Sequence, residues 1–511
     1  MIVSASVLSK LLGDLRFARF DVAGSNDLRN RETGLRRRHL ICWFFPSNLF
    51  TEMNRNGGAP KLLPLTVALS VLIWIIATSG GTHVLVKEWL GEAYDSQAEH
   101  LLRGDVGVDL GAISSEAMIV KGKARMYFGP FPAFVRIPLN LFYPPGRGRW
   151  SRVSGFLAGT IALFAFSGLV ESALLKSPLS VSAGRLLGNA LVVGFILGSP
   201  ILFLLGNLSI YNEGIIWGLA WCLGALYFVN LSQDAEGRTL TCSLIGFSVC
   251  SSFALLSRVT FGAPLVMIAP LLVLRIRRED RLANFAALFV PLAAGLLFYL
   301  LLNYAKFGSF TGAAYDFYIN PVHREFAHKH GIFDLNRIPY SFADYFSLAP
   351  PSFHLEPPLL RVYRHVLPKS APFSLPLSEV FLSVPWSSSW LVVGAIVGIV
   401  CLVLRGRANY FQRWVAVAFF AEVVLILSYF ALAQRYAADL YPFLIFCLVV
   451  FLGAGGIALV RMRYLLIGLV AISIVINSLA TAFWLASDSN LPSETRNFWG
   501  IIAGKQQRSL K

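Results

Sequence analysis

The chain has 511 residues, of which 56% are hydrophobic and 14% are charged. A soluble domain carries about 25% charged residues, and the mean hydropathy of this chain is +0.63. The composition excludes a soluble globular enzyme, a disordered protein and a nucleic-acid-binding domain, which leaves a polytopic membrane protein. The net charge of +16 is interpreted as topology, since the cytoplasmic loops of membrane proteins concentrate Lys and Arg.

The first 61 residues are polar and rich in arginine, so we expect a cytoplasmic N-terminal segment over 1–61. Arg36, Arg37 and Arg38 form a basic run in this segment. Met53 begins the sequence MNRNGGAPKLL, which is typical of a short basic lead into a first span. One hypothesis is therefore that Met53 is the true start of the protein.

A membrane helix needs about 20 mostly apolar residues, because the hydrocarbon core is about 30 Å thick. The stretches predicted as spans are, in chain order, Leu62–Gly81, Val153–Leu174, Leu186–Leu205, Gly214–Leu231, Leu240–Leu256, Phe261–Leu274, Leu282–Tyr304, Trp390–Leu404, Trp414–Leu432, Ala437–Leu459 and Tyr464–Leu485. The predicted fold class is an all-α polytopic membrane helical bundle of about 11 spans.

The segment Tyr127–Tyr143 is apolar but contains three prolines, Arg136 and Asn140. This segment is either a short span or an interfacial helix. The two alternatives give all later spans opposite orientations in the membrane. As an interfacial helix it leaves most later arginines in inside loops, which agrees with the positive-inside rule. We therefore predict a juxtamembrane helix on the outer face, within a first outer loop over 82–152.

This topology divides the rest of the chain into four parts. They are a transmembrane module over 62–305, a large outer loop over 306–389, C-terminal spans over 390–485 and a tail over 486–511. Both long loops and the tail are then expected outside the cytoplasm.

Nearly all polar residues near the spans fall at the outer end of the predicted bundle. A transporter places its substrate site near the bilayer midplane, often between repeats, and the sequence shows no convincing internal repeat. Charges at one face are typical of an enzyme that takes a lipid-borne substrate from the outer leaflet, because arginine pairs bidentately with phosphate oxygens. The candidates at this end are Tyr94, Asp95, Glu116, Tyr211, Glu213, Arg258, Asn303, Tyr304, Arg435 and Tyr436.

Several candidates have structural alternatives. Asp95 could accept a proton from an incoming hydroxyl, or it could be the N-cap of the helix SQAEHLLRG. Arg258 and Arg435 lie at tight outer turns, where an arginine either binds a ligand or anchors a lipid headgroup. Glu213 could cap the fourth span. No metal ligands are predicted, since no standard spacing fits the loop histidines His323, His328 and His330.

Five features resemble the GT-C superfamily of polytopic glycosyltransferases, which includes the protein O-mannosyltransferases and the lipid A aminoarabinose transferases. They are Tyr94-Asp95-Ser96 followed by GKARMYFGPFP, the Tyr-x-Glu at Tyr211 and Glu213, the Leu-Ser-Arg turn ending at Arg258, the run Asn303-Tyr304-Ala305-Lys306-Phe307-Gly308, and Arg435-Tyr436 with Pro442. The resemblance covers 62–485.

The resemblance implies a catalytic aspartate in the first outer loop, which matches Asp95. It implies basic outer residues that hold a polyprenyl-phosphate donor, matching Arg258 and Arg435 with assistance from Lys121 or Lys123. The other candidates would bind substrate: Tyr94, Glu116, Tyr211, Glu213, Asn303, Tyr304 and Tyr436. Many members have an Asp-Glu pair where this chain has Asp95-Ser96, so dependence on a divalent cation stays open.

The expected reaction is sugar transfer from a polyprenyl-phosphate-linked donor to a glycolipid, polysaccharide or protein acceptor. It would take place among membrane lipids on the outer face of a bacterial cytoplasmic membrane, with no nucleic-acid partner. Three other classes stay open: a polysaccharide polymerase or ligase, a lipid-linked sugar flippase, and a non-catalytic assembly subunit. The flippase would need an inward-facing polar cavity, which the one-sided charge distribution does not favour, and the subunit would tolerate the loss of Asp95.

Overall fold

The structure is a computed structural model that describes residues 61–276, 280–312, 315–354, 360–361, 377–379, 381–404 and 406–504. The cytoplasmic segment predicted over 1–61 therefore lies outside the described residues except for Lys61, and so does Met53, the hypothetical true start. So does the end of the predicted tail, from 505 to 511.

The described part of the chain contains 19 α-helices, numbered here in chain order. The first ten are α1 Leu63–Ala77, α2 Glu92–Leu102, α3 Leu110–Ile113, α4 Phe131–Phe142, α5 Ser151–Leu175, α6 Val181–Leu197, α7 Ile201–Gly206, α8 Ile210–Ser232, α9 Gly237–Ser257 and α10 Val259–Leu272. The others are α11 Arg281–Phe307, α12 Pro321–His330, α13 Ile338–Tyr345, α14 Val384–Ser387, α15 Ser389–Val403, α16 Tyr410–Leu427, α17 Tyr441–Ala454, α18 Ile457–Ser487 and α19 Ser493–Ile502.

Six short strands accompany the helices. They are β1 Met118–Val120, β2 Lys123–Arg125, β3 Ser352–Phe353, β4 Leu360–Arg361, β5 Leu377–Ser378 and β6 Ala431–Leu432. β1 pairs antiparallel with β2, β3 pairs antiparallel with β4, and β5 pairs parallel with β6.

The all-α membrane bundle predicted from the sequence is confirmed. Among the described residues, 7 helices are long and apolar enough to cross a membrane, namely α5, α8, α9, α11, α16, α17 with the turn before it, and α18. The helices α1, α6, α10 and α15 also coincide with predicted spans but are shorter than 18 residues. The count of about 11 spans is therefore not confirmed by length and composition.

The predicted span Leu186–Leu205 is two helices, because the chain bends at Gly198-Ser199-Pro200 between α6 and α7. Proline cannot donate the backbone hydrogen bond that would continue α6. At the bend, the Ser388 hydroxyl and the Trp390 indole N–H donate to the Gly198 carbonyl oxygen, at 3.3 and 2.9 Å. Such side-chain donors allow a broken helix to stay inside an apolar bundle.

Close packing in the bundle depends on small residues. An added Cβ on Gly398 of α15 would lie 1.9 Å from the Cys447 carbonyl oxygen of α17. Only glycine therefore allows these two helices to approach so closely, as is common between helices in membranes.

The segment predicted as a juxtamembrane helix forms α4, which contains Pro138. A helix of 12 residues rises about 18 Å, which is less than the thickness of the hydrocarbon core. Its buried side chains are Phe131, Pro132, Ala133 and Arg136. The helix therefore lies on the bundle and directs one arginine inward.

The two long loops meet at one end of the bundle, which we call the loop end. An isolated bridge joins Met118 of β1 to Tyr318 in the second loop. The Ile319 N–H donates to the Ala117 carbonyl oxygen at 3.0 Å beside this bridge. The two loops are therefore parts of one structure.

The C-terminal tail also docks at the loop end. Arg152 of α5 pairs with Glu88 at 2.7 Å and donates to the Thr495 hydroxyl of α19 at 2.8 Å. Trp499 of α19 is buried. The tail therefore fixes the start of α5 to the first loop.

Candidate substrate site at the loop end

Two predicted site residues meet an arginine in a buried ionic cluster, the sealed triad of Asp95, Arg136 and Glu213. Arg136 Nη2 donates to Glu213 Oε2 at 2.6 Å, and Arg136 Nε lies 3.4 Å from Asp95 Oδ2. All three side chains are completely buried. The same guanidinium donates to the Ser151 hydroxyl and the Trp150 carbonyl oxygen, both at 3.2 Å. The triad therefore joins α2, α4 and α8.

The interpretation of Asp95 as an N-cap is wrong. Helix α2 begins at Glu92 with Gly91 in the cap position, so Asp95 lies within the first turn. Because burial removes water from the charged form, it raises the pKa of the Asp95 carboxyl. The charge of Arg136, the Asn140 side chain and the Gly148 N–H oppose that shift. The general-base role of Asp95 stays a prediction, and in this structure its carboxyl is enclosed.

A second ionic pair at the loop end is partly open. Arg258 Nε and Nη2 donate to the two carboxylate oxygens of Asp439, at 2.7 and 3.0 Å. The Thr260 hydroxyl donates to Asp439 Oδ1 at 2.7 Å. Asp439 is completely buried, whereas the Arg258 side chain is 23% exposed. One guanidinium edge of Arg258 is thus held by protein while the rest reaches the surface.

Arg435 makes the companion contact. Its Nη1 donates to Glu379 Oε2 at 2.7 Å, and the side chains of Arg435 and Glu379 are 19% and 47% exposed. The guanidinium lies 4.6 Å from the ring centre of Tyr211 and 5.0 Å from that of Tyr436. Arg258 lies 5.4 Å from the same Tyr436 ring. The two arginines predicted to bind phosphate therefore flank one aromatic ring.

Glu116 accepts hydrogen bonds from two tyrosine hydroxyls at the loop end. Its Oε2 accepts hydrogen bonds from Tyr127 at 2.7 Å and from Tyr318 at 2.8 Å. Burial, and then the negative charge of Glu116, raise the pKa of both tyrosines. Both phenols therefore stay protonated as donors. The pair links the first loop to the second beside Tyr211.

Gly129 brings the triad region and the arginines together. An added Cβ on Gly129 would lie 2.3 Å from the carbonyl oxygens of both Leu256 and Ser257. Only glycine therefore lets the YFGPFP segment lie directly on the end of α9, next to Arg258. Tyr94 reaches the same place, where its hydroxyl donates to the Ile210 carbonyl oxygen at 3.1 Å.

Other predicted site residues lie apart from the arginines. Lys121 in the turn between β1 and β2 and Lys123 at the start of β2 are exposed, and no contact joins them to Arg258 or Arg435 among the described residues. Tyr304 is 53% exposed and stacks on Phe310 at 4.8 Å. Asn303 is buried one turn along α11 from Tyr299. These side chains do not contribute to the cluster around Tyr436.

Sequence reasoning missed Asp439, Glu379, Tyr127 and Tyr318 as site residues. Arg136 was noted only as a charge in an apolar segment. Arg258 and Asp439 are 181 residues apart, so no local spacing marks them as partners. Tyr127 belongs to the motif that carries the family resemblance, and that position was a usable signal.

An apolar groove of about 740 Å³ lies between α15, α16 and α17. Its lining includes Val392, Ile399, Val417, Phe420 and Leu444, with Phe342 of α13 at the loop end. Arg413 is the charged residue among the described lining side chains, at the opposite end. Leu440, the neighbour of Asp439 in the chain, also lines the groove. The groove therefore extends along these helices as far as the residue that follows Asp439 in the chain.

Comparison with known proteins adds the following. No family model matches the chain, and no curated protein matches it in sequence. An oligosaccharyltransferase from Archaeoglobus fulgidus aligns with a TM-score of 0.41 and 11% identity over 86% of this chain, which spans 56% of that protein. ArnT from Cupriavidus metallidurans aligns with a TM-score of 0.33 and 14% identity, over 86% of this chain and 84% of that one.

Both alignments have low identity and a low TM-score. The likeness is distant, and the proposals below rest on the side chains of this chain.

Proposed function

We propose that the chain is a membrane glycosyltransferase that uses a polyprenyl-phosphate-linked sugar as donor. The acceptor would be a glycolipid, polysaccharide or protein at the outer face of a bacterial cytoplasmic membrane. The observation that carries the proposal is the pair of partly exposed arginines, Arg258 and Arg435, on either side of the Tyr436 ring. Two guanidinium groups at the loop end would bind a phosphate that leaves together with its lipid.

The contacts of the arginines support an anion site. Asp439 engages Arg258 through two parallel N–H···O contacts, which is also the geometry of a guanidinium on a phosphate. Glu379 engages Arg435 from a half-exposed position. A donor phosphate would compete with these carboxylates for N–H groups that are already oriented.

The apolar groove supports a lipid on that phosphate. It is lined by apolar side chains along α15, α16 and α17, and at the loop end it includes Leu440, which adjoins Asp439. An isoprenoid tail in the groove would place its phosphate next to Arg258. Sugar and phosphate would then lie at the loop end while the tail stays among apolar side chains.

The proposed chemistry divides between the two clusters. Arg258 and Arg435 would stabilise the charge that develops on the leaving phosphate, which is often the largest catalytic term. Asp95 is the carboxylate proposed to take the proton of the acceptor. For this its contact with Arg136 has to open, because the carboxyl is completely buried. Glu116, Tyr211 and Tyr436 would line the sugar site.

Equilibrium binding of a radiolabelled polyprenyl phosphate to the purified protein tests the proposal. We expect Arg435→Met to weaken binding about ten- to hundredfold, because hydrogen bonds to charged groups contribute about 1.5–3 kcal/mol. Arg407→Met is the matched control, since Arg407 is exposed at the opposite end of the bundle. Equal affinities of wild type and Arg435→Met would refute the phosphate site.

Transfer is then measured with a panel of polyprenyl-phosphate sugars and envelope lipids as acceptor. We expect label in a new product with the wild type and its loss in Arg435→Met. Binding without transfer by any donor would contradict the enzyme and favour the flippase or the assembly subunit.

A further inference from the structure

Five side chains at the loop end contact one another in series, and we call them the cation–aromatic row. In order, its members are Trp89, Tyr211, Arg435, Tyr436 and Arg258. The Trp89 and Tyr211 ring centres are 5.5 Å apart, and each arginine contact measures 4.6–5.4 Å to a ring centre. The members come from four separate parts of the chain. Folding therefore brings them together at one surface.

Trp89 is the open end of the row. Its indole is 40% exposed, and among the described residues no protein group accepts a hydrogen bond from the indole N–H. The Trp89 carbonyl oxygen accepts from the Ile210 N–H at 3.2 Å. The backbone of Trp89 is therefore fixed to the start of α8 while its ring remains available.

Charged residues flank Trp89 in the sequence. Lys87 pairs with Glu92 at 2.5 Å on either side of Trp89 in the sequence, and the Lys87 side chain is exposed. The Lys87–Glu92 pair indicates that this part of the first loop lies in water, because charged side chains are costly in hydrocarbon. An exposed indole here presents an apolar face and a free N–H donor to water.

We propose that Trp89 is the stacking platform for a sugar ring of the acceptor, so that the acceptor is a carbohydrate. This inference rests on the proposed function, because it places the acceptor at one end of the row and the donor phosphate at the other. The C–H face of a pyranose packs on an aromatic ring, while its hydroxyls bind the indole N–H, Lys87 and Glu92. A protein hydroxyl would leave the indole face uncovered.

The chain offers a matched tryptophan for comparison. Trp414 is 41% exposed and its ring centre lies 5.7 Å from that of Tyr410 at the opposite end of the bundle. It therefore has the exposure of Trp89 and one aromatic neighbour but no arginine row. Tryptophans of this kind are typical of the interfacial belt of membrane proteins.

Saturation-transfer NMR with a mixture of methyl glucoside, methyl mannoside, methyl galactoside and methyl arabinofuranoside tests the platform. We expect the C–H protons of at least one glycoside to receive saturation from the wild type and from Trp414→Ala. Trp89→Ala should reduce the affinity about three- to tenfold, the size of an aromatic stacking contact, and Trp89→Phe should restore most of it.

Equal transfer from the wild type and Trp89→Ala, or no transfer from the wild type to any glycoside, would overturn the proposal. Binding of polyprenyl phosphate is measured on the same samples. If it persists while the glycoside result is negative, the carbohydrate platform fails and the donor site stands. If polyprenyl phosphate binding is also absent from the wild type, the proposed function fails.

Discussion

Two arginine–carboxylate clusters lie at the same end of this bundle and differ in their access to water. In the sealed triad, Arg136 and both carboxylates are completely buried. In the other cluster, Arg258 and Arg435 keep 23% and 19% of their side chains exposed beside aromatic rings. The guanidinium of Arg136 is already paired and enclosed, so a ligand reaches the triad only if the triad opens. A partly open guanidinium can exchange its carboxylate for another anion without such a change, so the two clusters differ in whether a ligand can reach them in this structure.

The largest effect on stability is expected from a variant that removes Arg136, the buried cation of the sealed triad. We expect Arg136→Met to lower the free energy of unfolding by about 3–5 kcal/mol, because Asp95 and Glu213 would remain buried without a counter-charge. Thermal unfolding of the purified protein in one detergent measures the effect.

Arg435→Met is the matched control for that variant. It removes an arginine from the open cluster, whose carboxylate partner Glu379 is half exposed, so we expect a loss of about 1 kcal/mol or less. Similar losses for the two variants would show that both clusters are structural.

A smaller effect is expected at the glycine that joins the clusters. An added Cβ on Gly129 would lie 2.3 Å from two carbonyl oxygens at the end of α9, so Gly129→Ala must push the YFGPFP segment away from Arg258. We expect a loss of stability of about 1–3 kcal/mol, the usual cost of overpacking. Donor binding should weaken as well, because the Arg258 turn loses its support.

Gly111→Ala is the control for this variant. An added Cβ on Gly111 meets nothing within 4 Å, so its stability and donor binding should match the wild type. A stable Gly129→Ala protein with full donor binding would show that the two clusters are independent.

The sequence predicted the helices better than the clusters, for a physical reason. Each span is a local run of apolar residues, whereas the juxtamembrane helix is predicted from its prolines and Arg136 together with the arginines of the later loops. The clusters depend on contacts across the chain, such as Arg136 to Glu213 over 77 residues. Residue types showed which end holds the charges, but only the fold shows that Asp95 is enclosed and that Arg258 is not.

The protonation of Asp95 provides a further test of how far the sealed triad is shielded from water. Since burial raises its pKa in the folded protein, stability from the protonated carboxyl is complete below the unfolded pKa and is lost as the pH rises through the raised value. Asp95→Asn keeps the shape but does not titrate. We therefore expect the stability of the wild type relative to Asp95→Asn to fall as the pH is raised from about 4 to about 8.

Thermal unfolding of both proteins across this range gives the difference. A constant difference would show that the carboxyl has an ordinary pKa in the folded protein. An increasing one would show that Arg136 holds the pKa below its usual range. Transfer activity of Asp95→Asn, measured at the pH where its stability matches the wild type, tests the general-base role separately.

The smallest effect is expected from the two lysines that the family resemblance assigned to the donor phosphate. Lys121 lies in the turn between β1 and β2, and Lys123 begins β2. Both are exposed, and among the described residues they have no contact with Arg258 or Arg435. Exposed charges contribute at most about 1 kcal/mol. The double variant Lys121→Met, Lys123→Met should therefore bind polyprenyl phosphate with an affinity within about fivefold of the wild type. A loss as large as that of Arg435→Met would mean that the β1–β2 hairpin closes over the arginines when donor binds, so that exposure in the unbound protein no longer separates ligand-binding charges from the rest.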